Sequence, residues 1–207
     1  MRQHKRINQK QKGFTLVELM IASAVFATVL LLCTYGLLEI GRSYYKGATI
    51  SRTQETARLI TDDVVEAVQF TGGGVFGNEA AGWHCIGNKR YSFTRNVQRR
   101  DTAPVRPHVL MSETVPACSG TSGKNGSVDT GTLTGTDAKE LMNMRMRLTR
   151  FSITPLNNDL YEITIRVVSG DDDMLETISG ETVCRNDRIL SQFCAVSQLT
   201  TIARKRV

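Results

Sequence analysis

Three groups of side chains in this sequence could do chemistry: a carboxylate within an apolar run, a set of cysteines, and a row of aspartates. Glu18 is the one charged residue in Phe14–Leu38, a run of about 25 residues that is long enough to cross a bilayer as a helix. A carboxylate costs roughly 2.5–3.5 kcal/mol at the centre of a membrane helix, and less near an interface. Glu18 is therefore a candidate functional residue.

The chain has five cysteines, four of which follow the apolar run. Four cysteines on the outer side of a membrane, where disulfides persist, allow three pairings. We favour Cys85–Cys118 and Cys184–Cys194, because both pairs are close in sequence. No pair has the Cys-x-x-Cys spacing of a zinc site, so we expect no metal there. Cys33 lies in the apolar run and is expected to be a small buried hydrophobe.

Asp171-Asp172-Asp173 could bind calcium through carboxylate oxygens, but the spacing of an EF-hand loop is absent. We favour a solvated hairpin turn for this segment. The Gly72–Gly74 run is not followed by the Lys-Ser/Thr pair of a phosphate-binding loop. No catalytic nucleophile motif is recognisable. The sequence therefore predicts no enzyme activity and no cofactor.

The net charge of +6 is concentrated at the two ends of the chain. Met1–Gly13 contains five basic residues and no acidic one, so its removal would leave a net charge of about +1. Basic residues before a first span stay in the cytoplasm, which places the chain after residue 40 or so outside. We interpret the C-terminal Arg204-Lys205-Arg206 as a solvated tail. A role in holding DNA or an anionic surface is the alternative.

The elements that must position these groups begin with one long helix. Phe14–Leu38 is helical by length and composition, and Glu39–Phe70 continues it without a proline. Gly36, Gly41 and Gly47 predict a bend or a softened turn rather than a break. The later part has a stripe at a three-to-four spacing, made of Ala57, Ile60, Val64, Ala67 and Val68 and widened by Leu59, Val65 and Phe70.

Short strands follow a glycine stop at Thr71–Gly74. Met146–Thr154 and Leu160–Val168 alternate apolar and polar residues around a turn, which predicts an antiparallel hairpin. Ser119–Thr136 indicates a flexible loop, and Ala138–Met144 either a short helix or the lead into a strand. Further strands are predicted at Arg90–Thr94, Val109–Met111, Met174–Ile178 and Ile189–Val196.

The segment Lys12-Gly13-Phe14-Thr15-Leu16-Val17-Glu18, after its short basic leader, resembles the class III signal of type IV prepilins. That resemblance implies cleavage by a prepilin peptidase between Gly13 and Phe14, and N-methylation of Phe14. It also implies a role in assembly for Glu18, which would pair with the Phe14 amine of an adjacent subunit. Gln54–Val64 is similar to the stem helix of minor pilins and pseudopilins of the PilW and PulJ types.

The resemblance implies an α+β, type IV pilin-like fold: a long N-terminal helix packed on a small antiparallel sheet domain. We expect a cytoplasmic leader at 1–13, a membrane-spanning and filament-core helix at 14–38, an amphipathic stem at 39–70, and a β-rich head at 71–207. The protein would be a single-pass cytoplasmic membrane protein with the head outside, and then part of an extracellular or periplasmic filament.

The expected function is that of a structural filament subunit, minor rather than major. Its partners would be other pilin or pseudopilin subunits, the prepilin peptidase, the inner-membrane assembly platform, and membrane lipid before assembly. Three alternatives stay open: a pseudopilin of a type II secretion system, a subunit of a DNA-capturing competence pilus, and a membrane-tethered extracytoplasmic binding or enzymatic domain.

Overall fold

The computed structural model describes residues 13–70, 72–100, 108–116, 118, 123–124, 128, 136–157, 159–186 and 190–206. The leader predicted at 1–13 lies outside the described residues except for Gly13, as does most of the predicted loop at 119–136. The chain divides into two compact units, one up to Arg42 and the other from Ser43 onward.

Helix α1 spans Leu16–Phe70, 55 residues, and contributes to both units. The helix is uninterrupted at Gly36, Gly41 and Gly47, so the predicted absence of a break is confirmed. No described heavy atom lies within 4 Å of the place that a Cβ would take at any of these glycines. Each lowers helix propensity by about 1 kcal/mol relative to alanine, a cost that packing within the described chain does not explain.

From Ser43 onward, α1 packs on β-sheets through one face, and the buried residues of this face recur every three or four positions. This face includes the predicted stripe from Ala57 to Val68, and Val65 is partly buried beside it. Leu59 and Phe70, however, are 61% and 62% exposed, so their predicted place in the stripe was wrong. At about 100° per residue, each is rotated away from the buried row. The buried residues are Thr53, Thr56, Ala57, Ile60, Thr61, Val64, Ala67 and Val68.

Ten strands are present among the described residues, all paired antiparallel. A five-stranded sheet has the order β1-β2-β3-β4-β5, a three-stranded sheet the order β10-β7-β6, and β8 pairs with β9. The bounds are β1 Val75–Asn78, β2 Trp83–Ile86, β3 Lys89–Phe93, β4 Leu110–Thr114, β5 Thr136–Glu140, β6 Met146–Pro155, β7 Leu160–Ser169, β8 Leu175–Ile178, β9 Glu181–Cys184 and β10 Ala195–Arg204. The long helix packed on antiparallel sheets confirms the α+β fold.

The predicted hairpin is formed by β6 and β7. Its register shifts between Leu148 and Arg150, so that Thr149 is an extra residue on β6. A bulge of this kind reverses the alternation of side chains along one strand. Leu148 and Phe151 therefore both face the core, and both are fully buried, although three positions separate them. The bulge explains why the alternation in the sequence loses its phase in the middle of this strand.

The two main sheets and the stem helix share one hydrophobic core. Phe93 of β3 and Phe151 of β6 meet across it with ring centroids 5.0 Å apart. His84 of β2 lies beside both rings, at 5.6 Å from Phe93 and 4.9 Å from Phe151. Aromatic rings are large apolar groups, so their burial here contributes to the stability of the core.

The aspartate row lies in a largely exposed turn, as predicted, and Asp171 and Asp172 also pair with arginines. The turn is not a hairpin, because the strands on either side of it, β7 and β8, belong to different sheets. Asp172 begins a 3₁₀ turn over Asp172–Met174, and its carboxylate accepts a 2.8 Å hydrogen bond from Arg147. Arg147 and Arg100 together hold the pKa of Asp172 below its ordinary value. Asp171 pairs with Arg145 and accepts a 2.8 Å bond from the Gln98 amide. These contacts connect the end of β7 to β6 and to the segment before β4.

Two disulfides fasten the loops, and they are the two pairs that the sequence favoured. Cys85–Cys118 joins β2 to the segment after β4, and Cys184–Cys194 joins β9 to the start of β10. Cys33 is a free cysteine, exposed on α1.

The last strand is displaced from its prediction. Ser191–Phe193 form a 3₁₀ turn, and the strand begins only at Ala195 and continues to Arg204. The C-terminal basic residues are therefore not a free tail. Lys205 donates its backbone N–H to the Asp159 carbonyl, at 2.8 Å, while Arg206 donates to the Gln69 carbonyl at 3.2 Å. Of the two alternatives for Ala138–Met144, the short helix is wrong, because β5 occupies Thr136–Glu140, and the segment then leads into β6 at Met146.

A carboxylate on the stem attaches α1 to the five-stranded sheet. Asp63 accepts a 2.6 Å bond from the Lys89 ammonium and a 2.7 Å bond from the Tyr91 hydroxyl. Tyr91 is fully buried, and burial raises the pKa of its phenol so that it stays a donor. Asp63 thus supplies the acceptor for a hydroxyl that has little access to water.

We expect Asp63→Ala to lower the free energy of unfolding by about 1 kcal/mol, because the Tyr91 hydroxyl and the Lys89 ammonium both lose the carboxylate. The hydroxyl keeps the Asp63 backbone carbonyl at 3.1 Å as an acceptor. Urea unfolding of the full-length protein in detergent, followed through tyrosine environment, measures this. Asp62→Ala is the matched control, since Asp62 is the exposed neighbour on the same helix. Equal midpoints for the two variants would contradict the proposed attachment.

His84 predicts a pH dependence of stability. Its Nε2 lies 3.1 Å from the Phe151 carbonyl, and its Nδ1 is buried without a hydrogen-bond partner in the described residues. Burial lowers the pKa of His84 from 6.5 in spite of the Phe151 bond. Below pH 6.5 the unfolded chain therefore binds a proton at His84 that the folded chain does not. The contribution of His84 to the free energy of unfolding is fully present above this pH and is lost as the pH decreases.

We expect the urea midpoint to fall as the pH is lowered from 7 to 5. The free energy of unfolding should decrease by up to about 1.4 kcal/mol per pH unit. His84→Gln should flatten this slope, whereas His108→Gln, which alters the other head histidine, should leave the His84 contribution in place. Parallel slopes for wild type and His84→Gln would exclude His84 as the cause.

Candidate assembly site

The first turn of α1 closes on itself through Thr15 and Glu18. Glu18 Oε2 accepts the Thr15 backbone N–H at 2.9 Å and the Thr15 hydroxyl at 2.9 Å. The Glu18 N–H donates in return to Thr15 Oγ1 at 3.2 Å. This reciprocal arrangement is a capping box, which satisfies backbone donors that have no partner within the helix. It also places a carboxylate at the positive end of the helix dipole.

Thr15 is the residue of this site that the sequence interpretation missed. The spacing Thr15-Leu16-Val17-Glu18 matches the Ser/Thr-x-x-Glu pattern of a capping box, so the signal was present. Thr15 is a positioning residue, because it fixes where the Glu18 carboxylate lies.

Gly13 and Phe14 lie immediately before the capped turn, outside regular structure. Both are exposed, and Phe14 has 80% of its surface accessible. No described atom lies within 4 Å of the Cβ position at Gly13, and no positive φ is recorded there. The fold of the described chain therefore leaves this peptide bond open to an enzyme and does not itself require glycine.

The apolar part of α1 is long and apolar enough to cross a membrane, by length and composition. None of its most apolar window is buried inside the described chain. Its hydroxyl groups donate to carbonyls of their own helix, Ser23 to Met20 at 2.9 Å and Thr28 to Val25 at 2.8 Å. These bonds satisfy polar groups that lipid could not. An exposed apolar surface of this extent requires lipid or other protein around it.

Comparison with known proteins places a family match on this same segment. Residues 8–34 match the family model described as a prokaryotic N-terminal methylation motif. The chain carries a type IV pilin-like prepilin signal. This prepilin signal includes Gly13, Phe14, Thr15 and Glu18, and it indicates a substrate of a prepilin peptidase that is anchored in a membrane through its N-terminal helix. No curated protein and no solved structure matches this chain.

The other predicted site residues are the disulfide cysteines. The four disulfide cysteines belong to the unit from Ser43 onward. Within the described residues, no cluster of three or more His, Cys, Asp or Glu side chains could hold a metal ion.

We expect Thr15→Ala to loosen the first turn, because a lost N-cap costs about 1 kcal/mol. Amide hydrogen exchange of the full-length protein in detergent measures this at residues 15–19, where exchange should become about fivefold faster. Thr28→Ala is the control, since Thr28 bonds a carbonyl inside the helix and caps nothing. If both variants exchange alike over residues 15–19, the cap does not order this turn.

Proposed function

We propose that this protein is a minor subunit of a type IV pilus-like filament, cut after Gly13, N-methylated on Phe14, and assembled through its N-terminal helix. One observation carries the proposal: the prepilin signal is joined directly to a capped apolar helix whose side chains lack a cover in the described chain. Such a helix can lie in lipid before assembly and in a bundle of like helices afterwards.

The electrostatics of the cut end give Glu18 its role. Cleavage would create an α-amine on Phe14 with an ordinary pKa of about 7.7–8.0, protonated at neutral pH. In an apolar bundle, an ammonium and a carboxylate are each strongly penalised unless they are paired. Glu18 uses Oε2 in the cap, and its second oxygen can accept from the Phe14 amine of an adjacent subunit. Only one axial register between subunits pairs both charges.

The orientation follows from charge and from the disulfides. The leader is basic, and positive residues beside a first span remain on the cytoplasmic side. The head would then be outside the cytoplasm, in the compartment where Cys85–Cys118 and Cys184–Cys194 persist.

We assign the head a structural rather than catalytic role. Assignment to a minor subunit is supported by the similarity of the Gln54–Val64 stem to the PilW and PulJ types. The stem also presents Leu59 and Phe70 on the side opposite to the head core, where a neighbouring subunit could cover them. A pseudopilin of a type II secretion system uses the same processing and packing, and the location of the filament separates the two.

The proposal is tested by mass spectrometry of the filament fraction together with variants of Glu18. We expect the filament-associated protein to begin at Phe14 with one added methyl group. Glu18→Gln keeps an oxygen for the cap but removes the charge, so it should be cut normally and remain in the membrane. Its share in filaments should fall at least tenfold, because leaving one buried charge unpaired costs about 3–5 kcal/mol.

Glu39→Gln is the matched control, since Glu39 is an exposed carboxylate later on the same helix, 3.7 Å from Arg42. An intact Met1 on the filament-associated protein would overturn the processing step. Normal filament incorporation of Glu18→Gln would overturn the pairing of Glu18 with Phe14 and leave processing unaffected.

A further inference from the structure

A polar cavity of about 290 Å³ lies where the tip of the β8–β9 hairpin meets the face of β6 and β7 that points away from the core. Its charged lining consists of Arg95, Arg150, Arg166, Glu79 and Glu181, so it carries one net positive charge. The volume is near the lower end of the range for ligand sites, about 300–1,000 Å³. The cavity is therefore large enough for a small charged group.

The bulge in β6 supplies one of these arginines. Thr149 and Arg150 stand between the buried core residues Leu148 and Phe151, and both line the cavity. A β-bulge re-aims side chains in this way, and bulges are common beside functional sites. In a regular strand, alternation from Leu148 would have turned Arg150 toward the core.

The strand register places two arginines side by side. Arg150 of β6 lies directly opposite Arg166 of β7. The Cβ atoms of such partners are about 4.5–5.5 Å apart, and like charges placed there destabilise the sheet. One carboxylate, that of Glu181, pairs with both arginines, and it lies 3.4 Å from Arg150. Two positive charges thus share one negative charge, and a second anion would relieve the remaining repulsion.

The buried arginine has a donor left over. Arg166 is only 7% exposed. Besides its ion pair with Glu181, its Nη2 donates to the Thr182 carbonyl at 3.1 Å. Its Nε is buried without a hydrogen-bond partner in the described residues. A buried donor of a charged group is costly to leave unpaired, and a bound water or ion commonly satisfies it.

Arg95 adds a third guanidinium, from the segment after β3. It lies 3.3 Å from Glu79, whose carboxylate also accepts the Phe151 N–H at 3.1 Å. A guanidinium has five N–H donors in a planar fork that matches the oxygens of phosphate. Arg95 and Arg150 each form one ion pair with the described residues, so most of their donors are available to a ligand.

We propose that this cavity binds a phosphate group, which Arg95, Arg150 and Arg166 hold. The site goes beyond the proposed filament function and does not depend on it. Guanidiniums from three segments of the chain can bond separate oxygens of one phosphate, which offers more oxygens than a carboxylate does. The phosphate is either the free inorganic ion or part of a larger molecule.

Isothermal titration calorimetry of the full-length protein in non-ionic detergent, at constant ionic strength, tests the proposal. We expect one inorganic phosphate to bind per chain, with a Kd of about 1 mM or lower. Methyl phosphate is the second probe. Tighter binding of the ester would identify a phosphate group on a larger molecule, and tighter binding of inorganic phosphate would identify the free ion. No saturable binding of either probe up to about 10 mM would overturn the proposal.

Arg150→Gln removes one guanidinium and should leave the fold intact, because a partly exposed ion pair contributes little to stability. We expect its phosphate affinity to fall about tenfold, since hydrogen bonds between charged groups are the strong ones. Arg58→Gln is the matched control, because Arg58 is an exposed arginine on the stem, and it should bind as wild type does. If Arg150→Gln binds phosphate as tightly as wild type, at an equal urea midpoint, the protein binds an adventitious ion only and the proposal fails.

Glu181→Gln should change the affinity in the opposite direction. It removes the carboxylate that competes for Arg150 and Arg166, and its amide oxygen can still accept from them. The lining then carries one more positive charge, so phosphate should bind more tightly than to wild type. If the arginines serve only to hold the hairpin through Glu181, this variant will lower the urea midpoint without any gain in phosphate affinity. That result would overturn the proposal.

Discussion

The packing of one helix face against two antiparallel sheets determines how the head is built. That face, from Thr53 to Val68, is composed of small and β-branched side chains, so the helix can approach the sheets closely. Opposite it, the aromatic rings of Tyr91, Phe93 and Phe151 fill the space between the sheets. Asp63 then connects the edge of the helix to β3 through a lysine and a buried tyrosine. The arginine contacts and the disulfides hold loops onto this core.

The N-terminal part of the same helix obeys a different constraint. Its side chains lie outside any core of the described chain, so lipid or other subunits must surround it. Every polar group placed there needs a partner close at hand, which is why its hydroxyls bond to carbonyls of their own helix. The Thr15–Glu18 cap follows the same rule at the helix start. It holds a carboxylate in a fixed position beside the bond that a peptidase would cut.

Sequence patterns predicted the structural elements that depend only on residues close together in the chain. The apolar run, the stem stripe and the β6–β7 hairpin all arise from spacing along the chain, and the structure contains them. The pattern failed where a contact between distant segments decided the outcome. The bulge at Thr149 changes the phase of β6, and β10 begins only after the Cys184–Cys194 bridge. The ion pairs of Asp171 and Asp172 could not be predicted, because their arginine partners lie far from them in the sequence.

The sequence by itself determined the prepilin signal, the long apolar helix and the α+β class. These depend on residue type and near spacing, such as Glu18 three residues after Thr15, and they hold whatever the rest of the chain does. Only the tertiary structure decided that Asp63 is an attachment point, that the C-terminal basic residues are tied to β7 and α1, and that β10 forms a sheet edge. The physical reason is that burial, ion pairing and strand order come from contacts between segments far apart in sequence, which no local pattern encodes.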